Sequence, residues 1–281
     1  MLNFKVENNK IIIGNSPDFN VQQTLECGQL FRYIKTDFGY KAYSLEHKAL
    51  IYCQEGYTII ECSNVKYFIN YFDLHTNYAK IKLELEGDAL LASAIQHGEG
   101  IRILKQNSIE AIIGFIISAN NNIKRIQNTL FRLCEDHGQN MGDYFSFPTL
   151  KVLASLSEEY YKSIGCGYRA QYLAKVVWQL INEFDLDAIE SMPTLDAASE
   201  LTKLYGVGPK VADCILLYGF YKLDTFPVDT WIKKIYYDYN PKMKNINEKQ
   251  MRKFFVDKFG SLSGYAQQYL FYYKRSKGDL L

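Results

Sequence analysis

Leu201-Thr202-Lys203-Leu204-Tyr205-Gly206-Val207-Gly208-Pro209-Lys210-Val211-Ala212-Asp213-Cys214 is the stretch on which the fold turns. It reads as a helix to Tyr205, a tight turn at Gly206-Val207-Gly208, and a second helix restarting at Pro209. Proline suits a helix's first turn, where its missing N–H has no intrahelical partner anyway. Two glycines two apart let the backbone reverse sharply and leave N–H groups pointing out of a helix N-terminus. Such a terminus binds phosphate through its amides and its dipole. A hairpin of this kind can seat on a nucleic-acid backbone without reading sequence. Taken alone, it fits a plain helix–helix turn equally well.

Two residues near it carry chemistry. Lys210 falls in the first turn of the second helix, where the dipole disfavours an ammonium and partial burial acts the same way. A neutral amine there is an available nucleophile. Nineteen residues on, Pro227-Val228-Asp229 precedes Trp231-Ile232 and Ile235-Tyr236, which makes Asp229 a helix N-cap. Singly they read as a surface lysine and an ordinary cap. Together behind the hairpin they point to an active site.

Upstream, the hydrophobic period is two. Ile11–Ile13, Leu30–Ile34, Gly39–Tyr43, Leu50–Cys53 and Tyr57–Cys62 are short β-branched and aromatic runs separated by Gly, Asp and Asn turns, the pattern of an antiparallel sheet. After about residue 65 the period becomes three to four. Helices are expected over 109–117, 123–133, 149–158, 170–184 and 196–204, and from Asn247 onward. The chain is therefore expected to be α+β. A β-rich N-terminal domain over 1–85 precedes an all-helical region over 86–281, with the hairpin near 201–220 and helical subdomains flanking a cleft.

Net charge is +1, which by itself does not point to nucleic acid. The distribution says more. From Ile232 to the end there are eleven Lys/Arg against four acids, whereas residues 1–100 carry nine against twelve. A basic end on a neutral chain suits a phosphate-facing surface, and equally a solvated helix face. The six cysteines include no C-x-x-C pair and no zinc or iron–sulfur spacing. The first residues do not read as a secretory leader, and no apolar run reaches membrane-spanning length. The expectation is a cytosolic monomer with reduced thiols, nucleoid-associated in a bacterium.

Five segments in order resemble the helix–hairpin–helix DNA glycosylase superfamily, in its 8-oxoguanine branch. They are Gly28-Gln29-Leu30-Phe31-Arg32-Tyr33, Ser118-Ala119-Asn120-Asn121-Asn122-Ile123 with Arg125 in register, Gly165-Cys166-Gly167-Tyr168-Arg169-Ala170, the hairpin with Lys210, and Gly264-Tyr265-Ala266-Gln267-Gln268-Tyr269-Leu270-Phe271. The resemblance covers most of the chain. It departs at Trp231, where the family has a histidine that contacts phosphate, at Tyr265 for a tryptophan, and at Pro209 for a threonine. The cysteine run of the iron–sulfur branches is absent.

The resemblance implies a base excision repair enzyme acting on double-stranded DNA with oxidised guanine opposite cytosine. Lys210 would attack the sugar, and Asp229 would stabilise the cationic sugar. Gly28, Cys214, Gln267 and Phe271 would hold the flipped base. Asn120, Arg125, Tyr168 and Arg169 would fill the gap and read the orphaned cytosine, and Gly206, Gly208 and Val211 would hold phosphate. No metal or organic cofactor is implied for the reaction, although a structural cation at the hairpin carbonyls fits related hairpins. The competing readings are a same-fold glycosylase for another lesion, such as an alkylated base, and a non-catalytic DNA-binding module. A globular protein with no DNA role would have to produce the five matches by chance.

Overall fold

The computed structural model describes residues 2–278. The chain opens with β1 (Phe4–Glu7), β2 (Lys10–Ile13), α1 (Val21–Glu26), β3 (Tyr33–Thr36), β4 (Gly39–Ser44), β5 (His47–Gln54) and β6 (Tyr57–Cys62). The strands form one antiparallel sheet in the order β1-β2-β6-β5-β4-β3. Its register aligns Ile11 with Ile60, Ile60 with Ile51 and Ile51 with Tyr40. All four are buried, so one apolar row crosses four strands and fixes the register. A one-residue slip would turn that row to solvent.

The sequence reading needs correction at two places here. The strand expected from Leu30 begins only at Tyr33, because Leu30, Phe31 and Arg32 all turn inward. Neither β1 nor α1 was anticipated. β1 is an edge strand with three exposed residues in four, and α1 is a six-residue helix without apolar periodicity.

The helices that follow are α2 (Val65–Tyr71), α3 (Tyr78–Leu85), α4 (Ala89–His97), α5 (Ser108–Ser118), α6 (Ile123–His137), α7 (Leu150–Ala154), α8 (Glu158–Ser163) and α9 (Arg169–Asn182). Then come α10 (Leu186–Ser191), α11 (Thr194–Leu201), α12 (Pro209–Gly219), α13 (Thr230–Tyr239), α14 (Glu248–Phe259) and α15 (Ser263–Gly278). Short polar residues start most of them. Asn64, Asp88, Asn107, Asn122, Thr149, Ser157, Asp229 and Asn247 each accept a backbone N–H from the first turn. The segment 149–158, read as one helix, is two, because Ser157 caps a second one.

Two apolar cores result. The sheet core joins Ile11, Ile51 and Ile60 to Phe68 and Phe72. The larger helical core is centred on α5 and α12 and also takes Cys27 and Phe31 from the N-terminal segment. Gly219 lets these two helices approach closely, since a methyl group there would lie 3.1 Å from the Ala111 Cβ. The rings of Phe115 and Tyr218 stack across the same seam at 5.4 Å.

A buried ion pair joins the cores. Arg32 Nη1 lies 2.6 Å from Glu110 Oε1, with the two side chains 1% and 7% exposed. Arg32 Nη2 also donates to the Phe145 carbonyl, and Glu110 Oε2 accepts from the Ser44 hydroxyl and the Leu45 N–H. Breaking such a pair leaves an uncompensated charge in the interior and costs about 3–5 kcal/mol. Glu110→Gln should lower unfolding stability by about that amount in a denaturant titration, and Arg32→Met combined with it should recover part of the loss. A single variant with an unchanged midpoint would contradict this role.

Candidate active site and nucleic-acid interface

Helix α11 stops at Leu201, four residues earlier than its sequence implied, and residues 202–205 turn into the hairpin. Gly206 has φ +80°, and a methyl group there would meet Tyr172 of α9 at 2.7 Å. Gln179 of the same helix accepts the Tyr205 N–H at 2.8 Å. The hairpin is thus seated on α9 with its tip outward. Gly208 is the N-cap of α12 and provides no side-chain acceptor, and Pro209 follows at the helix start. The N–H groups of Lys210 and Val211 are therefore left for an outside acceptor. Val211's side chain is buried, so only its amide is available to a ligand.

Lys210 is half-buried, with its Nζ 5.9 Å from the centre of the Phe115 ring. No described carboxylate lies within 4.0 Å of it. A cavity of about 170 Å³ opens beside it, lined also by Pro209, Asp213, Val228, Glu248, Lys249 and Arg252. Asp229 caps α13 by accepting the Ile232 N–H at 2.9 Å. Burial pushes its carboxyl above the usual aspartate range, while the Ile232 N–H and the charge of Lys210 pull the other way. One turn beyond Lys210, Cys214 is buried, which drives its thiol up to about 11 despite the adjacent lysine. It is a neutral, polarisable surface at neutral pH.

The expected base-binding residues converge from three elements. Gly28 has φ +90°, and a methyl group there would lie 3.1 Å from Phe271 Cε1 of α15. Its loop is pinned by Gln29, which is fully buried. The Gln29 Nε2 donates to the carbonyls of Thr24 and Arg102, and its Oε1 accepts the Leu104 N–H. Gln268 Nε2 donates to the Cys27 carbonyl at 3.3 Å, and its Oε1 accepts the Tyr218 hydroxyl. Gln267, one residue earlier, donates to the Pro227 carbonyl at 3.4 Å, close to Asp229 in the chain. Its Oε1 is buried with no hydrogen-bond partner among the described residues. A buried acceptor left unpaired is costly, and a ligand donor would satisfy it.

A second cluster forms at the end of α5. Asn120 is exposed with φ +49°. The cap of α6 is Asn122, not Asn120. The Tyr168 hydroxyl donates to the Ala119 carbonyl, and the residue is 55% exposed. Arg169 is buried, and its Nε and Nη2 donate to the carbonyls of Ala119 and Asn120, both at 2.6 Å. It braces the Asn120 loop with part of its donor set. Arg125 is exposed and its guanidinium is free of protein hydrogen bonds among the described residues. Of the departures, Trp231 packs against the end of α15 beside Gly278, and Tyr265 is buried against Tyr78.

Two family models match residues 11–260 of the chain. Residues 11–112 match the 8-oxoguanine DNA glycosylase N-terminal domain, and residues 113–260 match the HhH-GPD superfamily of base excision DNA repair proteins. A probable N-glycosylase/DNA lyase of Methanothermobacter thermautotrophicus is 34% identical over 233 residues, covering 74% of each chain. The chain belongs to the 8-oxoguanine glycosylase/lyase branch of the HhH-GPD superfamily. The N-glycosylase/DNA lyase OGG1 of Arabidopsis thaliana is 29% identical over 88% of this chain and 75% of its own length. Among solved structures, the Clostridium acetobutylicum 8-oxoguanine glycosylase/lyase, in complex with double-stranded DNA containing cytosine opposite 8-oxoG, superposes with a TM-score of 0.91. It is 37% identical and covers 99% of this chain and 98% of that one. A 3-methyladenine DNA glycosylase from Archaeoglobus fulgidus, 17% identical with a TM-score of 0.71, shares the fold.

Within this branch, the residues that sequence reasoning left without a role are those that hold the site in place: Gln29, Tyr172, Gln179 and Gln268. Their signal was present for Gln29 and Gln268, which sit inside quoted motifs. Tyr172 and Gln179 lie on an amphipathic helix with nothing local to mark them.

The raised Asp229 carboxyl has a stability consequence. Its folded value lies above its unfolded one, so its contribution to stability is present at low pH and is lost as pH rises through the folded value. Asn is an equally good helix cap. Asp229→Asn should therefore melt above the wild type at neutral pH, with the advantage shrinking toward pH 4. An advantage that grows on acidification would reverse the sign assigned here.

Proposed function

We propose that this protein excises 8-oxoguanine opposite cytosine from double-stranded DNA and then cleaves the strand as an AP lyase. The observation that carries the reading is the buried Gln267 Oε1, which has no hydrogen-bond partner among the described residues while its Nε2 donates to the Pro227 carbonyl two residues before Asp229. A base inside a duplex is out of reach, so the nucleotide must leave the stack. Asn120 enters the gap, Tyr168 wedges beside it, and Arg125 with the remaining Arg169 donors reads the orphaned cytosine through its acceptor edge. Oxidised guanine carries hydrogen on N7 where guanine has a lone pair, so the Gly28 carbonyl discriminates between them. Gln267 meets the Watson–Crick edge, and Phe271 and Cys214 cover the two ring faces. Gly206, Gly208 and Val211 hold a backbone phosphate at the start of α12.

The chemistry then runs through Lys210. Its amine forms a bond to C1′ as the bond to the base breaks, and ionised Asp229 stabilises the positive charge developing on the sugar. Loss of the ring oxygen from C1′ gives a Schiff base, from which β-elimination cleaves the strand 3′ to the site. No metal or organic cofactor enters these steps. Among the described residues no helix is long and apolar enough to cross a membrane. We place the enzyme in the cytoplasm as a monomer, at the nucleoid in a bacterial cell. The division near residue 85 belongs to the same proposal, since the base pocket takes Gly28 from one side and Gln267 from the other.

An end-labelled duplex with 8-oxoguanine opposite cytosine tests this on one gel. The protein should release the base and nick the strand. Lys210→Gln should do neither, and Asp229→Asn should bind the lesion but turn over about 100-fold more slowly or worse. Strand cleavage surviving in Lys210→Gln, or preference for an alkylated base over 8-oxoguanine, would overturn the reading.

A further inference from the structure

Arg275 lies one turn beyond Phe271 on α15, outside every motif considered above. Its guanidinium is held on three sides. Nη2 donates to the Glu26 carbonyl. The guanidinium carbon sits 5.2 Å from the centre of the Phe271 ring. Nη1 lies 2.7 Å from the position a methyl group on Gly28 would take. No described carboxylate lies within 4.0 Å of it. The nearest acid in the chain path, Glu26, is already engaged by Lys35 at 3.2 Å and by the Tyr40 hydroxyl at 2.7 Å. Among the described residues Nη1 and Nε have no acceptor. Arg275 is half-buried, so its open donors are available to a ligand acceptor that displaces water from them.

We propose that Arg275 is a specificity-determining residue that donates to a carbonyl oxygen flanking N7 of the flipped base. The inference rests on the reading of Gly28 and Gln267 given under Proposed function. The edge of oxidised guanine presents O6, N7–H and O8 in sequence, an acceptor, a donor and an acceptor. Arg275 Nη1–H lies beside the Cα of Gly28, so a donor there would complement one oxygen next to the N7–H that the Gly28 carbonyl is assigned to accept. Arginine alone prefers ordinary guanine, whose O6 and N7 both accept. The Gly28 carbonyl opposes the N7 lone pair and removes that preference. Neither group discriminates fully without the other, and the cation–π contact with Phe271 couples the guanidinium to the ring that covers the base.

The test is single-turnover kinetics of Arg275→Leu and Arg275→Lys on two duplexes, one with 8-oxoguanine opposite cytosine and one with a pre-formed abasic site. The abasic substrate has no base edge. Arg275→Leu should slow base excision roughly tenfold or more relative to abasic-strand cleavage, and Arg275→Lys should fall between it and the wild type. An 8-oxoadenine duplex separates the two oxygens, because its 6-amino group is a donor. Contact with O6 predicts that Arg275→Leu raises 8-oxoadenine excision relative to 8-oxoguanine. Contact with O8 predicts that both fall together. Equal losses on the 8-oxoguanine and abasic duplexes, or no loss on either, would overturn the proposal. A wild-type protein inactive on 8-oxoguanine would instead overturn the functional reading beneath it.

Discussion

The buried Arg32–Glu110 pair is the constraint on which the rest of the molecule depends. Glu110 lies in the first turn of α5, and its two oxygens are divided between Arg32 and the β4–β5 turn. That fixes the helix against the sheet. The same helix packs on α12, which carries Lys210, and its far end leads into the Asn120 loop. One post therefore sets the relation between the Gly28 loop, the proposed nucleophile and the residue assigned to the DNA gap. An ion pair in the interior is a poor way to add stability, because its desolvation offsets its attraction. It is a good way to fix one arrangement of two cores, since any other leaves both charges unpaired.

The site reuses ordinary helix physics. Asp229 is a cap first, with Oδ1 committed to Ile232, and burial raises its carboxyl. Lys210 stands at a helix start whose N-cap has no side chain, so the same uncapped turn presents both the free amides proposed for phosphate and the amine proposed for the sugar. Lys210 and Asp229 form no ion pair, and Asp229 Oδ1 is taken by the Ile232 N–H of α13.

What could be read from the sequence follows a physical divide. Strands and helices with strong periodicity were legible: β2, β4, β5, β6, α5, α6 and α9 lie where alternation or three-to-four spacing placed them, and α12 starts where Pro209 placed it. The failures are local. Leu30-Phe31-Arg32 alternates poorly because all three turn inward, and Arg32 goes inward only because Glu110 waits 78 residues away. The end of α11 was misplaced because Leu204 remains in the apolar period after the helix has stopped. The hairpin and the Lys210/Asp229 pair were visible as local chemistry. Arg275 was not, because an arginine in a basic helical tail looks like a solvated one until Gly28 and Phe271 are brought against it.

The claim that most directly carries the account is that Lys210 is the covalent nucleophile. Borohydride reduction of the protein acting on an 8-oxoguanine duplex, followed by proteolysis and mass spectrometry of the trapped adduct, assigns the attached residue. The account predicts a deoxyribose-derived adduct on Lys210 and on no other amine. An adduct on another lysine or on the N-terminal amine would contradict it.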